Sequence, residues 1–209
     1  YTVRNTLSLH DALPILTNFV GQWVVPDFTN WVVDALIVSN VWIRIPTPGF
    51  HLVVSNDFTI TGSGGRLELG GNEHDDRSIF PYSEMTDAPV LDVGGNLTIT
   101  NGAEFHVYGG LTNALDYGAL VSVTGRLTLA SGSALIPYSH CMNGGSVLFR
   151  AGHLTIDGII NADKAGFCWR YGPGGYRSST AVTAGAGYNR GGGGHGGDGG
   201  YVSSTVEYE

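Results

Sequence analysis

The sequence predicts an all-β chain that winds as a single-stranded parallel β-helix, a solenoid of stacked strands, and ends in a glycine-rich tract. Three observations predict this fold class: an internal repeat, alternating apolar residues within each copy, and glycine or asparagine at the same place in every copy. Right-handed winding is expected, because connections between parallel strands nearly always take that hand.

The repeat is a nine-residue phrase that occurs at 52–60, 91–99, 121–129 and 148–156. Apolar residues alternate within it, as in Leu91 and Val93, which is the period of a strand with one buried face. One copy cannot bury that face alone, whereas stacked copies share an interior. We therefore expect Leu97, Leu127 and Leu154 to form one buried column.

A glycine or asparagine separates the two halves of each copy, at Asn56, Gly95, Gly125 and Gly152. These residue types most readily adopt a positive φ, so the pattern predicts a bend of that kind at each of them. A second turn is predicted at Asn101-Gly102 and at Ser131-Gly132, before a third short strand.

Composition agrees with an all-β chain and excludes several partners. The 209 residues include 33 glycines and a single lysine, Lys164, whereas helical surfaces are usually rich in Lys and Glu. The net charge of −8 argues against nucleic acid and anionic membranes as partners. No apolar run reaches the length of a membrane span, so we expect no membrane insertion by this fragment.

The chain divides into four parts. Residues 1–15 are interpreted as a non-native leader, because Thr6 to Ile15 is similar to a translated sequencing adapter. Residues 16–51 predict irregular N-terminal β coils, and residues 52–165 the repeats. Residues 166–209 form a glycine-rich tract that we expect to be truncated; it lacks the Lys and Ser or Thr of a phosphate loop.

Four threonines form the first candidate site. Each lies between two apolar residues in the same position of its copy, so all four are expected to point outward as a ladder: Thr59, Thr98, Thr128 and Thr155. Such a ladder contributes about 0.2–1 kcal/mol per cross-strand pair. A flat threonine array is also one way to bind ice.

The two cysteines form the second candidate site. Cys141 and Cys168 follow Gly125 and Gly152 at the same distance, which places them in neighbouring repeats. Adjacent strands lie about 4.8 Å apart, inside the Cα window of roughly 4.4–6.8 Å for a disulfide. A disulfide would favour an extracytoplasmic protein, and two reduced thiols remain the alternative.

A third candidate is the charged loop after Leu69, with Glu73, His74, Asp75 and Asp76. These side chains can ligate a metal or act as acid and base on a sugar. A solvated loop accounts for the same residues and is the favoured interpretation. We therefore expect no metal, no cofactor and no catalytic residue.

The phrases Gly95-Asn-Leu-Thr-Ile99, Ala119 to Gly132 and Asn143 to Arg150, with the glycine-rich tract, resemble large repeat proteins of environmental bacteria. Those proteins are of the autotransporter-passenger and adhesin type. The resemblance implies an extracellular or cell-surface location and a non-catalytic structural or adhesive module that contacts glycan or a cell-surface partner.

Two further functions stay open at this point. One is a polysaccharide lyase or glycoside hydrolase, which carboxylates converging with Arg or Lys in one groove would favour. The other is ice or surface binding through the threonine ladder.

Overall fold

The computed structural model describes residues 22–24, 29–70, 87–111, 117–140, 145–163 and 165–166. In these segments the chain forms fourteen strands and no helix. The strands are β1 (Gln22–Val24), β2 (Asn30–Val33), β3 (Leu36–Ser39), β4 (Trp42–Ile45), β5 (His51–Val54), β6 (Phe58–Thr61), β7 (Arg66–Leu69), β8 (Val90–Val93), β9 (Leu97–Thr100), β10 (Glu104–Tyr108), β11 (Ala119–Leu129), β12 (Ala134–Tyr138), β13 (Val147–Ile156) and β14 (Ile159–Ile160).

The strands form two sheets in which every pair is parallel. The six-stranded sheet has the order β1-β4-β7-β10-β12-β14. The eight-stranded sheet has the order β2-β5-β8-β11-β9-β6-β3, with β13 paired to β11 outside that path. Strand β11 holds the larger sheet together, because its first half pairs with β8 and its second half with β9.

This arrangement corrects the predicted fold class. A single-stranded β-helix solenoid would place the strands of each sheet in simple chain order. The eight-stranded sheet instead runs from β2 to β11 and then returns to β3, so the two parallel sheets resemble a sandwich. The repeat predicted most of the residue pairs between copies, but a repeat period does not specify how strands are distributed between sheets.

The core lies between the two sheets and consists of the alternate apolar residues of the strands. Its largest fully buried side chains include Phe50, Phe58, Phe105, Leu52, Ile60, Leu67, Leu91 and Ile99. Burial alternates residue by residue in most strands of the eight-stranded sheet, as in β5 and β9. This period-2 pattern is what removes one face of each strand from water and favours the fold.

One column of the core departs from expectation. Leu97, Leu127 and Leu154 are partners in one register. Leu97 and Leu127 are buried, at 0% and 2% exposure, whereas Leu154 is 60% exposed. The prediction that all three are interior is therefore wrong at Leu154, because β13 pairs only with β11 among the described strands.

The bend glycines are also corrected. Positive φ occurs at Asn40 and Asn101 and at Gly49, Gly62, Gly70, Gly102 and Gly132, but not at the predicted bend positions Asn56, Gly95, Gly125 and Gly152. The bend requires glycine for space: a Cβ on Gly125 would lie 2.7 Å from the Gly95 carbonyl oxygen, and one on Gly152 would lie 2.4 Å from the Thr124 oxygen. Successive bends therefore stack backbone on backbone, with Gly125 N–H donating to Gly95 O at 2.9 Å.

The second turn uses left-handed backbone. Asn101 and Gly102 have φ of 57° and 79°, and Gly132 has φ of 78°. Asparagine and glycine tolerate this region at the lowest cost, which is why they recur before the third strand.

The last copy of the repeat is shifted by one residue before its bend. The sequence alignment places Leu148 opposite Val121, but the structure pairs Val121 with Phe149 and Leu120 with Leu148. The register changes between Val123 and Arg126 and then rejoins the alignment at Leu127 and Leu154. Phe149 therefore packs against the core and Leu148 does not.

Several predicted features lie outside the described residues. They are the leader 1–15, the cluster Glu73, His74, Asp75 and Asp76, the pair Cys141 and Cys168, and the glycine-rich tract from residue 167 onward. In the part of the chain that the structure describes, no helix is long and apolar enough to cross a membrane.

Candidate functional site

The structure brings the four predicted threonines together on the outer side of the eight-stranded sheet. Thr59 pairs with Thr98, Thr98 with Thr128, and Thr128 with Thr155. All four are half-buried, while the apolar residues on either side of the first three are buried. The threonines therefore face away from the core.

A second column of hydroxyls lies beside the first. Ser39 pairs with Thr61, and Thr61 with Thr100, two residues along the same strands. We call the two columns together the hydroxyl face; its members are Ser39, Thr59, Thr61, Thr98, Thr100, Thr128 and Thr155. Parallel pairing spaces neighbouring hydroxyl-bearing residues at the strand separation of about 4.8 Å.

Two side chains at the margin of the hydroxyl face hold some of its hydroxyls in place. Asn101 Nδ2 donates to Thr61 Oγ1 at 3.0 Å. Arg126 Nη1 donates to Thr155 Oγ1 at 3.0 Å. In each case the acceptor is the hydroxyl oxygen, so the hydroxyl proton remains available to donate.

The outer side of the six-stranded sheet carries charged residues instead. They are Arg44 on β4, Arg66 and Glu68 on β7, and Glu104 and His106 on β10, and we call them the charged cluster. Register brings them together, because Arg44 pairs with Glu68, Glu68 with His106, and Arg66 with Glu104. Glu68 is 1% exposed and His106 5% exposed, so part of this cluster lies out of water.

Glu68 is the centre of the ion pairs. Arg44 Nε donates to Glu68 Oε2 at 2.8 Å, and Arg66 Nη2 lies 2.5 Å from Glu68 Oε1. The second contact is an ion contact without hydrogen-bond geometry, because Glu68 Oε1 has no hydrogen-bond partner among the described residues. Two guanidinium groups therefore compensate the charge of this buried carboxylate.

His106 joins the charged cluster to an aromatic pair. Its Nε2 lies 2.9 Å from Glu104 Oε2, and the Tyr138 hydroxyl lies 3.4 Å from its Nδ1. Burial lowers the pKa of His106, and the nearby Arg66 charge lowers it further, while the hydrogen bond to Glu104 opposes the shift. The neutral ring that results donates from Nε2 to Glu104 and accepts from Tyr138 at Nδ1.

Two aromatic contacts border the cluster. Tyr108 and Tyr138 are register partners whose rings stack with centroids 4.4 Å apart and planes at 10°. On the other side, the Arg66 guanidinium lies 4.5 Å from the centre of the Trp42 ring. The distance is within the range of a cation–π contact.

Three buried polar atoms of this region have no hydrogen-bond partner among the described residues: Trp42 Nε1, Arg66 Nε and Glu68 Oε1. Two are donors and one is an acceptor. Glu68 Oε1 already lies 2.5 Å from Arg66 Nη2, so the atoms with neither a hydrogen bond nor an ion contact among the described residues are the donors Trp42 Nε1 and Arg66 Nε. Groups of this kind normally acquire a partner, because leaving one unpaired costs about 1–3 kcal/mol.

Sequence reasoning located the threonines but missed the charged cluster. The available signal was the alternation of Arg66 and Glu68 with buried leucines, and of Glu104 and His106 with Phe105. Aligning those strands requires the register across the long 70–89 insertion, which the repeat phrase does not contain.

No metal site is present in the described segments, where no group of three or more His, Cys, Asp and Glu side chains is arranged to hold an ion. Comparison of the chain with family models, curated proteins and solved structures found no match. The functional argument therefore depends on the two faces described above.

Proposed function

We propose that this chain is a non-catalytic secreted or cell-surface module, structural or adhesive, that contacts glycan. The observation that supports it most is the hydroxyl face. Its residues project from a hydrogen-bonded parallel sheet in two regular columns, so little conformational entropy is lost when a partner binds.

A glycan is a suitable partner for this face. Sugar hydroxyls donate and accept hydrogen bonds, as threonine hydroxyls do. A polysaccharide repeats along its length, and the hydroxyl columns repeat across the strands. Several weak contacts then act together, which raises the overall affinity well above that of one contact.

The test is binding of the full chain to a panel of insoluble polysaccharides and to a glycan array. The variant Thr98→Val, Thr128→Val keeps the β-branched shape and removes two hydroxyls. Each lost hydrogen bond costs about 1 kcal/mol, so we expect the double variant to bind roughly tenfold or more weakly. Ser122→Val, on the first half of β11, is the matched control and should bind as the wild type does.

Two results would contradict the proposal. One is a wild-type chain that binds no polysaccharide or glycan on the panel. The other is equal binding by the wild type and the threonine double variant, which would place the contact elsewhere.

A polysaccharide lyase or glycoside hydrolase is the second candidate, and the charged cluster favours it. Two carboxylates, Glu68 and Glu104, both contact Arg66 there. Glu68 is almost completely buried and compensated by arginines, which leaves Glu104, with a side chain 45% exposed, as the group accessible to a substrate. Release of reducing ends or unsaturated products by the wild type, abolished in Glu104→Gln, would establish this activity in place of the first proposal.

A further inference from the structure

Arg126 places a positive charge at the margin of the hydroxyl face. It lies two residues before Thr128 on β11, and both residues project outward because the intervening Leu127 is buried. Arg126 Nη1 reaches across to β13, where it donates to Thr155 Oγ1 at 3.0 Å. We propose that the glycan at the hydroxyl face is acidic and that Arg126 pairs with the carboxylate of a uronate unit. This inference deepens the proposed function and rests on it.

The charge of Arg126 is available to a ligand. Arg44 and Arg66 both lie against Glu68, whereas Arg126 belongs to none of the ion pairs among the described residues. Arg126 is also exposed. Because only Nη1 is engaged with Thr155, the Nε and Nη2 donors remain for a ligand.

A carboxylate suits these remaining donors. The Nε–H and Nη2–H groups of a guanidinium point in parallel along one edge, so they can donate to both oxygens of one carboxylate in a bidentate pair. The hydrogen bond to Thr155 orients the guanidinium before a ligand binds, which reduces the side-chain entropy lost on binding. A sugar unit without a carboxylate would contact the threonine hydroxyls but would gain nothing from the charge.

The surrounding charges favour an anion at this end of the hydroxyl face. His153 is the exposed register partner of Arg126, and it carries no negative charge. Asp57 lies two strands away, about 10 Å at a strand separation of about 4.8 Å, and its Oδ1 already accepts from Asn96. Asp157 lies beyond His153 on the same strand side, about 13 Å along the chain. Neither carboxylate is close enough to pair with Arg126.

The net charge of −8 limits the strength of this contact without preventing it. At physiological ionic strength, exposed charges more than about 8 Å apart are largely screened, so the groups next to Arg126 determine the local attraction. An exposed ion pair is itself weakened by water and salt. We therefore expect a modest preference for an acidic glycan that decreases as salt is added.

The experiment compares uronate-containing oligosaccharides with the same molecules after their carboxylates have been reduced to alcohols. Oligosaccharides of alginate, polygalacturonate, hyaluronan and glucuronoxylan are titrated into the full chain by calorimetry, at low and at high NaCl concentration. We expect the wild type to bind at least one acidic oligosaccharide about three- to fivefold more tightly than its reduced form at low salt. The preference should disappear at high salt.

Three variants test the assignment to Arg126. Arg126→Gln removes the charge and should bind the acidic and the reduced forms equally. Arg126→Lys keeps the charge without the bidentate edge, so it should retain only part of the preference. Arg150→Gln is the matched control, because it removes an exposed arginine from β13 before the bend, opposite Ser122, and should keep the full preference.

The threonine double variant separates this inference from the proposed function. Thr98→Val, Thr128→Val removes uncharged contacts, so it should weaken binding of the acidic and the reduced forms by the same factor. The inference is overturned, with the proposed function intact, if the wild type binds reduced or neutral glycans as tightly as acidic ones. It is also overturned if Arg126→Gln keeps the preference. A wild type that binds no glycan at all overturns both.

Discussion

At the scale of single residues, the sheet surface fixes ionisable groups in environments that differ from water. Glu68 and His106 are partners in neighbouring strands, yet one is compensated by two guanidinium groups and the other is shifted by burial. The difference follows from strand pairing, which places Arg44 opposite the carboxylate, and from the two-residue spacing on β7, which places Arg66 on the same side of the strand. A buried ion pair adds little net stability, because the cost of desolvating both charges offsets much of their attraction.

His106 gives the chain a pH dependence that can be measured. Its pKa is lowered in the folded chain by burial, whereas in the unfolded chain it has the ordinary value of about 6.5. Between these two values the unfolded chain binds more protons at this residue. The free energy of unfolding therefore decreases as the pH falls below about 6.5 and stops responding to His106 below the folded pKa.

His106→Gln removes this titration and keeps groups that can hydrogen-bond to Glu104 and Tyr138. We expect the difference in free energy of unfolding between wild type and His106→Gln to shift in favour of the variant as the pH is lowered from 8 through about 6.5. Urea denaturation at a series of pH values measures it. A difference that stays constant over that range would contradict a lowered pKa.

At the scale of elements, alternating apolar residues were sufficient to locate most strands. Alternation places Leu97 and Ile99 inward and Thr98 outward. Because side chains alternate between the two faces of a strand, one residue known to face the core determines the direction of all the others. The same counting misplaced Leu148, because β13 uses one residue fewer than β11 to pass its bend. A residue missing from the bend leaves the apolar alternation of both flanking segments unchanged, so the sequence pattern does not reveal the shift in register.

The bend glycines were predicted at the right positions, but the physical reason for the prediction was wrong. Gly125 was assigned to the bend from its conformational freedom, but the structure needs it because Gly95 lies directly against it. Close approach of two chain segments is a property of the stacked strands. The sequence around Gly125 alone therefore does not predict this close contact.

Leu127 and Leu154 offer a matched comparison of two positions in one register. Leu127 on β11 is buried and has partners on both sides, Leu97 on β9 and Leu154 on β13. Leu154 is 60% exposed. Leu127→Ala should lower the free energy of unfolding by about 2–5 kcal/mol, because it leaves a cavity. Leu154→Ala should change it by no more than about 0.5 kcal/mol, as exposed substitutions usually do.

Urea denaturation of both variants at one temperature measures the two losses. The prediction fails if Leu154→Ala is as destabilising as Leu127→Ala, since that result would mean that Leu154 is covered in solution. Thr128→Ala serves as a control for general loss of β-propensity in β11.

At the scale of the whole molecule, the repeat indicated parallel pairing between copies but not the division into two sheets. Every strand pair within the described segments is parallel, and paired residues lie one copy apart. Which of the three strands in a copy shares a sheet with which is decided by the angle of each bend. The repeat alone does not contain that angle, whereas the core joins buried side chains of different copies, such as Phe58 and Phe105.

At one end of the described structure, each sheet has a strand with a single partner. β13 pairs only with β11, and β14 only with β12, within the described residues. Four large apolar residues are exposed there: Leu154, Ile156, Ile159 and Ile160. An open strand edge beside exposed apolar side chains is a template for pairing with another chain.

We therefore expect the full chain to self-associate as its concentration rises, and the double variant Ile159→Lys, Ile160→Lys to self-associate less. Lysine at an edge strand carries its charge into any paired interface, where desolvation makes pairing unfavourable. Thermal unfolding should change little, because Ile159 is 64% exposed and Ile160 48% exposed. Sedimentation velocity over a hundredfold range of concentration measures the effect. Ser63→Lys, which adds charge at an exposed turn away from this edge, should associate as the wild type does; a wild type that remains monomeric throughout would show that the edge is protected in solution.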